Sequence, residues 1–330
     1  MAIMVGDAAM IATRLTDKFG LSVPVISAPM AHAAGGKLAA SVSGAGALGM
    51  IGGGYCDRQW LEEQFFEAGN AAVGCGLITW KLAEVERDEP GFLDMVLNRR
   101  PKALFLSFGD PAPFIKCARK MSISVMAQVQ TVSDALHAVE AGAEVIVAQG
   151  TEAGGHGSRR GTMSFVPEVV DAVGDRAIVV AAGGIADGRG LAAALMLGAD
   201  GVLMGTRFWA SREALVPDGF HKDALDSDGD ATLRSILPDI ARGYEWPEMY
   251  DIRTLKGPWT ERWREMPEGL AAEARRAEYV RASREGDSNG AAAVAGEAVG
   301  LIGSIESVET IVENVMREAR ECLSGNWRAR

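Results

Sequence analysis

From residue 24 to about residue 208, short apolar runs alternate with longer amphipathic stretches. Runs this short are too brief for helices and read as buried strands. They fall at 25–28, 47–51, 72–78, 103–107, 124–128, 144–148, 177–181 and 201–204. Between them, apolar spacing predicts helices over 37–43, 58–68, 90–98, from Pro111 onward, and over 133–141, 167–173 and 191–197. Pro111 suits the first turn of its helix, and Gly44 is expected to close the 37–43 helix in a left-handed conformation. Eight β-units, each followed by a helical stretch, predict an α/β fold of the (β/α)8 TIM barrel type, with a doubly wound sheet as the alternative.

After Phe208 the alternation stops. Trp246, Trp259 and Trp263 gather here with Pro217, Pro238, Pro247, Pro258 and Pro267 and many charges. A charged helix is expected over 268–285. An amphipathic one follows over 307–323, with Val308, Ile311, Val312, Val315, Met316 and Ala319 on one face. The expected organisation is a barrel over 1–212 and 296–330, with 213–295 inserted as a mainly helical lid before the last barrel helix.

Composition narrows the function. The chain has 330 residues, 48% of them hydrophobic, and a formal charge of −11. That balance argues against nucleic-acid partners and anionic membrane surfaces, both of which need basic patches. Cys56, Cys75, Cys117 and Cys322 are scattered without CxxC or zinc spacing, so no metal is expected and a reduced cytoplasmic compartment fits. Residues 1–11 carry Asp7 and lack a basic start, unlike a signal peptide, and no apolar run is long enough to span a membrane.

The chemistry concentrates in Gln149-Gly150-Thr151-Glu152-Ala153-Gly154-Gly155-His156-Gly157, a flexible loop expected at the C-terminal end of the sixth strand. In parallel α/β proteins that end is where reactions occur. A second signal joins Gly183 and Gly184, after the seventh strand, to Gly205 and Thr206 after the eighth. Loops there form the usual phosphate site of a barrel. Gly44-Ala45-Gly46-Ala47-Leu48-Gly49 matches GxGxxG but runs from a helix into a strand, the reverse of a dinucleotide fold, and reads as a turn. Of the other histidines, His32 is expected near the mouth, His137 on a surface helix and His221 at the start of the lid. Glu152 reads as a loop-fixing acid.

Ala28-Pro29-Met30, the Gln149–Gly157 element and Gly198 to Phe208 together resemble the nitronate monooxygenase family, formerly the 2-nitropropane dioxygenases. The Glu-Ala-Gly-Gly-His element is shared with a related flavin-dependent enoyl-acyl-carrier-protein reductase. The resemblance implies FMN at the barrel mouth, with Ala28, Pro29 and Met30 along the isoalloxazine. Gln128 and Gln149 are then expected to meet the ring or ribitol, Gly154 and Gly155 to approach the flavin, and Gly183, Gly184, Gly205 and Thr206 to hold the phosphate. His156 matches the catalytic histidine. Gly76 stands near the flavin where many relatives carry asparagine. The implied reaction oxidises alkyl nitronates, and by extension nitroalkanes, with O2 to carbonyl compounds and nitrite. An NAD(P)H-dependent enoyl-thioester or quinone reductase and a non-catalytic FMN-binding barrel are the alternatives. The partners expected are a small molecule and O2; a homodimer is left open.

Overall fold

The computed structural model describes residues 11–325, so all but the last residue of the 1–11 stretch weighed as a leader lies outside it. Its strands are β1 (Val25–Ser27), β2 (Met50–Gly54), β3 (Gly74–Ile78), β4 (Ala103–Ser107), β5 (Ser124–Val129), β6 (Val145–Gln149), β7 (Gly155–Gly157), β8 (Ile178–Ala182), β9 (Gly201–Met204), β10 (Thr232–Ser235) and β11 (Asp251–Leu255). All except β7, β10 and β11 pair in parallel, in the order β1-β9-β8-β6-β5-β4-β3-β2. An Ile26–Leu48 bridge brings β1 back beside β2 and closes the ring. The fold is the expected TIM barrel.

The strands are continuous apolar runs because both faces are covered. Ile26, Met50, Phe105, Met126, Val147, Val180 and Leu203 point inward and fill the barrel, with Leu15 and Phe19 in the same cluster. These two come from a helix, Arg14–Phe19, anchored by paired Arg14–Asp200 hydrogen bonds of 2.8 Å. The alternate strand residues pack outward against the ring of helices. The final helix, Val308–Leu323, packs against the helices Gly188–Met196 and Gly36–Gly44, which completes that ring.

Local expectations needed correction in four places. The helix Thr79–Asp88 was not anticipated, because its charges hide a short apolar stripe. Pro167 lies inside the helix Thr162–Val173 and does not open it. The left-handed residue after Gly36–Gly44 is Gly46, at φ 85°, since the helix runs through Gly44. Finally, the loop carrying His156 is not free: β7 pairs antiparallel with β11, and β11 with β10. Glycine-rich β7 has little strand propensity of its own, and its partner lies far along the chain.

Residues beyond β9 build most of a second apolar cluster. Trp209, Phe220, Leu237, Trp259, Tyr279, the alanines at 291–293 and Val299 belong to it. Among the described residues, no helix is long and apolar enough to cross a membrane.

Candidate active site

The barrel strands are buried, but several of their C-terminal ends remain accessible. Ala28, Pro29, Met30, Gln128, Gly154, Gly155, Gly183 and Gly205 are half-buried and Gly184 is exposed. These positions sit at or just beyond the C-terminal ends of β1, β5, β6, β8 and β9, so they lie around one barrel mouth. Thr206 is more buried, and its Oγ1 accepts a 2.9 Å bond from the Gly296 N–H. Gly76 sits within β3, where a Cβ would come within 2.3 Å of the Pro29 ring. The proline thus packs where an asparagine side chain would have to begin.

The loop after β6 is braced on every side. The Gln149 carbonyl oxygen accepts from Gln128 at 3.1 Å and Gln130 at 2.8 Å, while its amide donates to the His156 carbonyl at 3.1 Å. Both ends of the Gln149 amide are therefore engaged within the protein. Glu152 accepts from the Thr162 backbone and hydroxyl, as a loop-fixing acid should. Arg234 donates to the carbonyls of Thr151, Ala153 and Asp251, and Arg253 adds another bond to Thr151. Burial pushes the Arg234 guanidinium down to about 10, with Arg253 beside it acting in the same direction. Gly154 and Gly296 meet backbone to backbone; a Cβ on Gly154 would lie 2.5 Å from the Gly296 nitrogen.

His156 lies in β7 opposite Ile252 and is 8% exposed. Its Nε2 is 2.9 Å from Asp239 Oδ2, and Asp239 Oδ1 accepts a 2.7 Å bond from Arg242. The indole of Trp246 stacks on the imidazole at 3.4 Å, tilted by only 8°. Burial pushes the His156 pKa below its ordinary 6.5, Asp239 pulls it back upward, and Arg242 adds to the lowering. A carboxylate can only accept, so Nε2 carries the proton and Nδ1 is left with the lone pair. Burial thus favours the neutral imidazole, and the Asp239 contact favours the tautomer protonated at Nε2.

Asp239 and Trp246 carry much of this arrangement, and sequence reasoning passed over both. Asp239 follows Pro238 in the first turn of the helix Leu237–Arg242, where an acid is ordinary. Trp246 was visible only as part of a tryptophan-rich composition. The remaining histidines stand apart from the dyad. His32 is exposed near Tyr55 and Trp60. His137 is exposed and pairs with Asp110 at 2.8 Å. His221 is buried with Nε2 on the Trp209 carbonyl.

Residues 78–318 match the family model described as nitronate monooxygenase. A nitronate monooxygenase of Neurospora crassa is 35% identical over 90% of this chain and 89% of its own. One from Metarhizium robertsii is 33% identical over 91% and 92%. Among solved structures, FabK from Thermotoga maritima superposes with a TM-score of 0.84 at 30% identity, covering 97% of this chain and 100% of that one. A nitroalkane oxidase from Streptomyces ansochromogenes gives 0.76 at 26% identity, covering 94% and 99%.

Proposed function

Since the chain belongs to the nitronate monooxygenase family, we propose that it is an FMN-dependent oxidoreductase converting nitronates and O2 to carbonyl compounds and nitrite. The observation that carries this reading is the buried His156–Asp239 pair beside a glycine-lined barrel mouth. Membership implies a flavin, and the strand-end residues fit one. Gly183 and Gly184, at φ 100° and 73°, form a left-handed turn whose N–H groups can converge on an anion. Thr206, beyond Gly205, accepts from Gly296 and keeps its own proton for a phosphate oxygen. Ala28, Pro29, Met30, Gly154 and Gly155 would flank the ring, and Gly76 makes room for Pro29. Gln128 and Gln149 would act from below, as an amide pair already tied together. Among the described residues only one phosphate bed is evident, which favours FMN over FAD.

A bound flavin supplies electron acceptance and the reaction with O2. The residues of the chain supply position and proton transfer. His156 Nδ1 takes the α-proton of a neutral nitroalkane, while Asp239 holds Nε2 and balances the imidazolium that results. A preformed nitronate arrives already deprotonated and needs only orientation. Residues 213–295 read as a lid that keeps water from this chemistry. The four cysteines are unpaired, in keeping with a cytoplasmic enzyme.

The deciding experiment uses the purified protein. It is expected to release FMN on denaturation and to consume O2 with a nitronate, producing nitrite. Recovery of FAD would refute the one-phosphate argument. The likeness to FabK favours an NAD(P)H-dependent reductase as the second reading. Brisk NADH oxidation with no nitronate turnover would establish that reading in place of the first.

A pH profile tests the dyad. Activity on neutral nitroalkanes requires neutral His156, whose lowered pKa keeps the base available at pH 6.5 and loses it only further toward acid. Asp239→Asn removes the upward pull and leaves the burial in place. The acid limb of kcat/KM with a nitroalkane should therefore move to lower pH, with a loss of roughly 10–100-fold in rate. An unmoved limb would show that Asp239 does not act through His156.

A further inference from the structure

Trp246 occupies an unusual position for a side chain of its own protein. It covers one face of His156 in near-parallel stacking, at 3.4 Å and 8°. Around its rim four other rings stand edge-on: Phe108 at 5.1 Å and 78°, Trp80 at 5.4 Å and 76°, Tyr55 at 6.3 Å and 88°, and Tyr250 at 6.3 Å and 86°. Edge-to-face is the arrangement aromatic rings prefer around a flat neighbour. The result is a slot shaped to a planar aromatic group, with the imidazole as its floor.

The occupant is weakly tied. Trp246 belongs to an irregular stretch that begins after Gly243, at φ 69°, and its neighbours Glu245, Pro247, Glu248 and Met249 are exposed. Its one described side-chain hydrogen bond runs from Nε1 to the Tyr55 hydroxyl, at 3.2 Å. While the indole stays, His156 is nearly sealed, and a base must be reached to act. A fixed wall in this position would leave the buried pair without use. A second observation points the same way. The indole N–H of Trp80, one of the edges of the slot, is buried and has no acceptor. Buried donors without partners are uncommon and at a site suggest a missing ligand atom.

We infer that Trp246 holds the place of a planar aromatic group of the substrate, which stacks on His156 when the 243–250 segment swings out. The substrates of this site are then aryl-substituted nitronates in preference to short alkyl ones, with an oxygen of the bound anion available to the Trp80 N–H. This inference rests on the nitronate reading for the reaction and on the aromatic slot for the substrate.

The experiment separates the two. With the flavin-loaded enzyme, kcat/KM is measured for the nitronates of phenylnitromethane and of nitroethane. Binding of the unreactive planar anion benzoate is compared with that of propionate, following tryptophan emission. The aryl nitronate should be favoured by roughly tenfold, and benzoate should bind tighter than propionate by a similar factor. Benzoate should alter the emission of the wild type more strongly than that of Trp246→Phe, in which only Trp80 at the edge of the slot can report. Trp246→Ala, which has no plug to displace, should bind benzoate several-fold tighter and leave propionate unchanged. A wild-type preference for ethyl nitronate, with gain of aryl turnover only in Trp246→Ala, would make Trp246 a fixed wall and overturn the inference. If neither nitronate turns over while benzoate still binds with the emission change, the aromatic slot stands and the nitronate reading falls.

Discussion

Replacing His156 by asparagine is expected to lower turnover of neutral nitroalkanes by roughly 10²–10⁴-fold, the usual worth of a general base. Asparagine is too short to reach Asp239 as Nε2 does, but Arg242 still donates to Asp239 Oδ1, so the buried carboxylate keeps a partner and the fold should hold. What disappears is the lone pair at Nδ1. Preformed nitronates require no deprotonation, and their turnover should fall far less. Flavin affinity should scarcely change, because Gly183, Gly184, Gly205 and Thr206 follow β8 and β9, away from β7. The measurement is a paired comparison of both substrates at equal flavin occupancy. Equal losses on the two would mean that His156 orients substrate and does not remove a proton.

Arg234→Met should have the largest effect on stability. The arginine satisfies the carbonyls of Thr151, Ala153 and Asp251 at once, and Arg253 reaches only the first of these. Methionine restores some volume but no donor. Leaving two or so part-buried acceptors, at Ala153 and Asp251, without these partners costs about 2–4 kcal/mol. That is a large fraction of the roughly 5–15 kcal/mol that holds a typical protein together. The denaturation midpoint should drop with the slope of the transition unchanged. A midpoint equal to that of the wild type would show that water replaces the guanidinium at no cost. Lys at the same position, a point charge with no planar fork, should rescue only part of the loss.

The barrel was legible in the sequence because its signal is local and repeated. A strand covered on both faces must be apolar along its whole length, and β6 with its neighbours are such runs. The position of His156 after β6 followed from the same pattern, whereas membership of the family was carried by the motifs Ala28–Met30, Gln149–Gly157 and Gly198–Phe208. The surroundings of His156 were not legible, for a physical reason. Asp239 lies 83 residues away in the chain, and no periodicity links the two. They meet because Gly155, His156 and Gly157 pair with Arg253, Ile252 and Asp251. A Gly-His-Gly sequence announces a turn, and only the partner strand makes it β. Helix Thr79–Asp88 escaped for a related cause: only Thr79 and Leu82 in it are fully buried, so its apolar stripe is too thin to read.

The pairing of β7 with β11 also fixes when, during the life of the chain, the enzyme can begin to work. As synthesis proceeds from the N-terminus, the barrel strands are all available once residue 204 has emerged. The imidazole then still lacks its carboxylate, its stacking partner and its neighbouring strand. Contacts across such separations form late, since the closure entropy of a long loop must be met before they are rewarded. The Thr206–Gly296 bond spans 90 residues and waits for residue 296, so it comes later again. The strand ends after β1, β8 and β9 can therefore be in place before His156 is seated, which would give a flavin a period of open access before the residues beyond β9 fold.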